Sequence, residues 1–89
     1  MIKSFRGKAL RRFAEKGDAS KLSVQNVDRV RLILARLENA KAPTDMNVPG
    51  LFFHGLHGGR YSVRVTGTWR ITFGWERGDA VDVYLEDYH

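Results

Sequence analysis

The spacing of hydrophobic and polar positions changes character along this 89-residue chain. Residues 1–5 are short and mixed, with Ile2 and Phe5 apolar, and read as an edge strand. From Gly7 the spacing is helical. Ala9, Leu10, Phe13 and Ala14 share one side, and Lys8, Arg11, Arg12, Glu15 and Lys16 cover the rest. Gly17-Asp18 is the expected stop, because glycine accepts the left-handed turn that closes a helix. A second helix is predicted over residues 23–39, with Val27, Val30, Leu34 and Leu37 as its stripe and Ile33 widening it. Ser23 is its expected N-cap, although Asn26 rather than Glu stands three residues on and no full capping box forms.

Pro43 and Pro49-Gly50 interrupt the helical pattern, and beyond them the period falls to two. Tyr61, Val63 and Val65 alternate with Ser62, Arg64 and Thr66, and Thr66-Gly67-Thr68 forms a tight connection. Trp69, Ile71, Phe73 and Trp75 then alternate with Arg70, Thr72, Gly74 and Glu76, the clearest strand in the chain. Arg77-Gly78-Asp79 supplies a hairpin turn into a last strand over residues 80–86, with Val81, Val83 and Leu85 on one face. The expected architecture is α+β: a short N-terminal strand, then two helices packed on a three- to four-stranded antiparallel sheet, as one domain over residues 1–89.

Composition narrows the function classes. The chain is 43% hydrophobic and has no cysteine, which fits a folded domain and excludes a disulfide scaffold, cysteine zinc sites and cysteine nucleophiles. No apolar run approaches the ~20 residues of a membrane span, and residues 1–13 lack the apolar core of a secretory signal. A cytoplasmic setting without membrane contact is the expectation. The net charge of +5 is unevenly spread: residues 1–41 carry 11 basic and 4 acidic side chains, residues 42–89 carry 4 and 6. A positive field of that kind suits a polyanion, nucleic acid first; the competing reading is a solubilising helix surface.

Three features of the second half carry proton chemistry. The stretch from Phe53 to Arg60 combines His54, His57 and Arg60 with three glycines, which let a backbone approach a ligand closely. Its competing reading is a flexible hairpin with exposed histidines. A zinc site would need His89 or Asp87 as third ligand on a pliable frame, so no metal and no cofactor is expected. Alternation sets Arg70 on the polar face of its strand, where a planar, permanently charged fork suits a phosphate; a cross-strand ion pair to Asp82 is the alternative. Asp87, Tyr88 and His89 close the chain directly after a strand. His54, Arg70 and His89 together supply what metal-free RNA cleavage requires: a base for the ribose 2′-OH, a cation for the phosphorane and an acid for the leaving oxygen.

These residues carry a family resemblance. The opening Met1-Ile2-Lys3-Ser4-Phe5, residues 51–54, the Trp69-Arg70-Ile71-Thr72-Phe73 strand and the closing Asp87-Tyr88-His89 resemble the HigB toxins of the RelE/ParE superfamily, in the same order over essentially the whole chain. The resemblance implies a RelE-like fold and a ribosome-dependent mRNA interferase. Such a toxin cuts mRNA in the ribosomal A site without metal, leaves a 2′,3′-cyclic phosphate, and is neutralised by a HigA-like helix-turn-helix antitoxin. It further implies a catalytic group at His54, His57, Arg70, Asp87, Tyr88 and His89, with His54 and His89 sharing the two proton transfers in an order left open.

The family loop usually reads His-Pro-Leu-Lys-Gly, whereas this chain has His54-Gly55-Leu56-His57-Gly58 and a shortened hairpin before Tyr61. A titrating imidazole thus replaces a permanent cation, with Arg60 nearby to compensate. Lys8, Arg11, Arg12, Lys16, Arg29, Arg31, Arg36 and Arg60 are the expected contacts to RNA and the ribosome. Two other classes remain as alternatives: a ParE-like inhibitor of DNA gyrase, and a non-catalytic RNA- or protein-binding module. A toxin that has lost activity through its altered loop is a further one.

Overall fold

A computed structural model describes residues 1–87. Helix α1 spans Lys8–Lys16, with Gly7 at its N-cap and Gly17 (φ 72°) closing it by donating its N–H to the Phe13 carbonyl at 2.9 Å. Leu10 and Phe13 are its buried side, as the spacing predicts. Helix α2 spans Val27–Asn39 and buries Val30, Ile33, Leu34 and Leu37. It starts four residues later than residue 23. Val24 turns into the core and Asn26 takes the cap, its side chain accepting the Arg29 N–H at 3.3 Å. A 3-10 turn, Pro43–Met46, then seats Met46 fully in the core.

Four strands follow, β1 (His54–Gly55), β2 (Arg60–Arg64), β3 (Trp69–Glu76) and β4 (Asp79–Asp87), forming an antiparallel sheet in that order. The β3–β4 hairpin turns on Arg77 and Gly78, both at positive φ, which matches the twist of the flanking strands. The fourth strand is β1, a two-residue element before β2. Residues 1–5 run beside β4 instead, parallel to it, through the bridges Ile2↔Ala80 and Phe5↔Val83.

The two faces of the sheet differ sharply. Val63, Ile71, Phe73 and Val83 point to one side and are fully buried with Val30, Ile33 and Leu37 of α2. Phe53, Tyr61, Phe73 and Trp75 extend this side as a ladder of rings, with centroids 5.7, 5.7 and 6.4 Å apart. Alternation in β4 does not run through. Asp82 adopts φ 49° and the β3–β4 register slips between Thr72 and Gly74, a β-bulge. The slip sends Ala80 and Val83 to the core and puts Val81 opposite Gly74 on the other face, so Val81, Val83 and Leu85 do not share one side. Ser4 Oγ accepts the Asp82 N–H at 2.9 Å and absorbs the irregularity.

Candidate functional site

The strand register assembles the site on the face of the sheet away from the buried core. His54 pairs with Ser62, Ser62 with Thr72, and Thr72 with Tyr84, making one row across all four strands. Arg64, Arg70 and Glu86 form the next row, and Arg60, Gly74 and Val81 the one on the other side. Residues opposite one another in a ladder share a face, so His54, Arg60, Arg64 and Arg70 lie on a common surface. By sheet spacings the Cα atoms of His54 and Arg70 stand about 12 Å apart, across which an imidazole and a guanidinium can converge on one phosphodiester.

Each of these side chains is held by its neighbours. The His54 Nδ1 lies 3.0 Å from the Phe52 carbonyl. A carbonyl only accepts, so Nδ1 carries the proton and, in the neutral ring, Nε2 keeps its lone pair for chemistry. The origin of this contact is a departure from regular pairing. Continuing the antiparallel count past His54↔Ser62 would set Phe52 opposite Arg64, yet the Arg64 N–H donates to the Leu51 carbonyl at 2.7 Å. Phe52 sits at φ 51°, and its carbonyl, freed from the ladder, turns to the imidazole. Upstream, the Arg29 guanidinium donates to the carbonyls of Gly50 and Arg64, pinning residues 50–53 to α2 and β2.

Arg70 Nε and Nη2 both approach Glu86 Oε1 at 2.9 Å. Glu86 is its direct cross-strand partner, because the bulge advances the register by one and brings Glu86 rather than Leu85 opposite Arg70; Asp82, the partner considered from sequence, lies further along β4 beside Gly74. Arg60 lies across the sheet surface, with Nη2 donating to Thr72 Oγ1 at 3.0 Å and to the Asp82 carbonyl at 2.9 Å. Gly74 lies under it, and the close neighbour there is Val81: a Cβ at Gly74 would stand 3.2 Å from Val81 Cγ2 and at ordinary contact, 3.8 Å, from Arg60 Nη1. Burial lowers the Arg60 pKa from its ordinary value, as does the nearby Arg6 charge, while Asp82 and Glu86 oppose both. Arg60 stays a cation, and two arginines that repel each other make a place where an anion is stabilised.

The other expected residues fall in different places. His57 is exposed on the turn between β1 and β2. Asp87 pairs with Trp69, so alternation directs it away from the Arg70–Glu86 face. Tyr88 and His89 lie outside the described residues. Among the described residues, no three His, Cys, Asp or Glu side chains group to hold a metal ion, and no helix is long and apolar enough to cross a membrane.

On the helices, Arg11 pairs with Glu15 at 3.2 Å, Arg12 with Asp18 at 2.9 Å, and Arg31 with Asp28. Arg31 also stands 5.4 Å over the Phe13 ring, and Arg36 donates to the Asp45 carbonyl at 3.4 Å. Lys8 and Lys16 are exposed. Arg29 is a tether rather than an open contact. Sequence reasoning missed Phe52, Arg6, Arg64 and Glu86. The alternation of β2 already placed Arg64 with Ser62, but Phe52 and Arg6 gain meaning only from the register.

Two comparisons bear on this face. The chain matches, over residues 3–89, a family described as the RelE-like toxin of the type II toxin-antitoxin system HigB. It is also 39% identical over 92 residues, covering all of both chains, to the Endoribonuclease HigB of Proteus vulgaris.

Proposed function

This chain belongs to the HigB-like toxins of type II toxin–antitoxin systems, and from that membership we propose that it is a ribosome-dependent endoribonuclease cutting mRNA in the ribosomal A site. The observation that carries the reading is the shared face of His54 and Arg70, the first with Nε2 left for proton transfer and the second held rigidly by Glu86. A toxin of this type acts against an antitoxin, which we take to be a helix-turn-helix protein of the HigA kind. The setting is the cytoplasm, with residues 1–89 acting as one domain.

The chemistry follows from the residues. A base removes the proton of the ribose 2′-OH, and that oxygen attacks the adjacent phosphorus. The bond from phosphorus to the 5′-oxygen breaks, and an acid protonates that oxygen, leaving a 2′,3′-cyclic phosphate and a 5′-hydroxyl. The Arg70 fork binds the nonbridging oxygens as their charge grows. His54 carries one proton transfer, and the terminal pair Tyr88 and His89 supplies the other. Asp87, turned to the Trp69 side, steadies the strand end that leads to them. Arg60 with Arg6 beside it holds a flanking phosphate, taking over the permanent charge that His57 lacks in the loop. The basic helix residues Lys8, Arg11, Arg12, Lys16, Arg31 and Arg36 meet ribosomal RNA phosphates.

The test is a reconstituted translation reaction on a defined message, with the RNA ends mapped in the presence and absence of ribosomes. Cuts inside codons, seen only with ribosomes, bearing a cyclic phosphate and absent with His54→Ala or His89→Ala, are expected. Equal cutting of naked RNA, or no cutting by a folded wild type, overturns the proposal.

A further inference from the structure

We infer that Phe52 is a stacking platform for an unstacked nucleobase beside the cleavage site, an inference that rests on the RNA-cutting reading above. Phe52 is 60% exposed, so its ring is open to a ligand. It also holds φ 51°, a backbone region that bulky residues rarely adopt. The backbone conformation serves the carbonyl that holds His54, and glycine would adopt it more readily; the ring itself has no place in the core ladder, where Phe53 packs against Tyr61.

Three surroundings make the ring fit a base. The Arg64 guanidinium stacks 4.6 Å from its centroid, so one face is backed by a cation and the ring is held in a fixed plane. Phe52 also borders a shallow, open recess of about 440 Å³ shared with Asn47, Val48, Pro49, Gly50 and Phe53, which leaves ample space for a flat heterocycle beside the ring. The ring further belongs to a residue whose carbonyl holds the His54 imidazole, and Arg64 pairs with Arg70 across the sheet. A nucleotide whose phosphate meets Arg70 therefore has a neighbouring base within reach of Phe52, about two strand spacings or 10 Å away. Aromatic side chains and arginine planes are the usual platforms for splayed bases of single-stranded RNA.

The test separates the ring from the backbone. Phe52→Gly removes the ring, relieves the positive φ and keeps the carbonyl that holds His54; Phe52→Tyr keeps the platform. Ribosomes are programmed with mRNA whose A-site codon carries 2-aminopurine beside a 2′-deoxy nucleotide that blocks cutting. Stacking on the wild-type ring changes the 2-aminopurine fluorescence on toxin binding, Phe52→Tyr reproduces the change, and Phe52→Gly abolishes it. On cleavable message, Phe52→Gly raises the half-saturating toxin concentration about tenfold to a hundredfold, and Phe52→Tyr restores it. Identical fluorescence from wild type and Phe52→Gly overturns the platform whether or not the message is cut. A ring-dependent fluorescence change with no cutting of cleavable message would sustain the platform and defeat the nuclease reading instead.

Discussion

The basic residues of this toxin fall into two populations with different surroundings. On the helices, three arginines are paired with nearby carboxylates, Arg11 with Glu15, Arg12 with Asp18 and Arg31 with Asp28, while Lys8 and Lys16 are exposed. Those on the sheet face, Arg60, Arg64 and Arg70, are fixed by hydrogen bonds, a ring or a carboxylate on rigid strands, and the Arg6 charge acts on Arg60. Counting charge along the chain points to the first population, since residues 1–41 hold 11 of the 15 basic side chains. Preorganisation points to the second. Charge in quantity suits attraction to a polyanion, whereas charge held in place is what a transition state requires.

Neighbouring residues of β3 give the strongest way to break this contrast. Ile71→Ala opens the core and costs about 2–5 kcal/mol, a large part of the stability of a small domain. Arg70→Ala, one residue away on the other face, leaves the denaturation midpoint nearly unchanged because its ion pair is partly exposed, yet lowers cleavage about 10²- to 10³-fold. Chemical denaturation and a cleavage assay read both variants. If Arg70→Ala unfolds the protein, the two faces are not separable as described.

Arg29 is the exception that sharpens the comparison, being a helix arginine that serves the sheet face. Arg29→Met removes the bonds to the Gly50 and Arg64 carbonyls and costs about 1–3 kcal/mol. It also loosens the segment that carries Phe52 and His54, so cleavage falls together with stability. Arg12→Gln, by contrast, leaves the maximal rate intact and lowers the salt dependence of ribosome association by about one unit of log–log slope. The smallest effect concerns Asp18, whose pKa is lowered first by its hydrogen bonds to Ser20, with Arg12 adding to this. A depressed folded-state pKa stabilises above the unfolded value of 3.8 and is lost as pH falls through the folded one. The slight melting-temperature advantage of wild type over Asp18→Asn should accordingly fade in acid below that value.

Much of this is legible in the amino-acid sequence alone. The odd positions of β3 announced a core strand, Gly7 and Gly17 bounded α1, and alternation alone put Arg70 on the polar side. The misreadings share a physical cause. Val24 and Asn26 moved the start of α2, because a buried valine and a good cap outweighed the earlier serine. Asp82 and Phe52 adopt left-handed backbone without glycine; aspartate tolerates that region, but nothing local in the sequence marks Phe52. Both irregularities shift what faces the site: the β4 bulge brings Glu86 rather than Leu85 opposite Arg70, and the turn at Phe52 aims its carbonyl at His54. Register is a property of paired strands, so the composition of the site was visible in the chain while its geometry was not.

The most direct test of a division between attracting helices and a cutting sheet is single-turnover cleavage of ribosome-bound message over a range of toxin concentrations. Two proteins are compared with wild type: Arg70→Gln, and a variant with Lys8, Arg11, Arg12 and Lys16 all changed to Gln. The account predicts that Arg70→Gln loses about 10²-fold or more in maximal rate with little change in half-saturating concentration. The helix variant should keep its maximal rate and need far more toxin. The reverse pattern, with Arg70→Gln cutting at full rate once saturated, would contradict it.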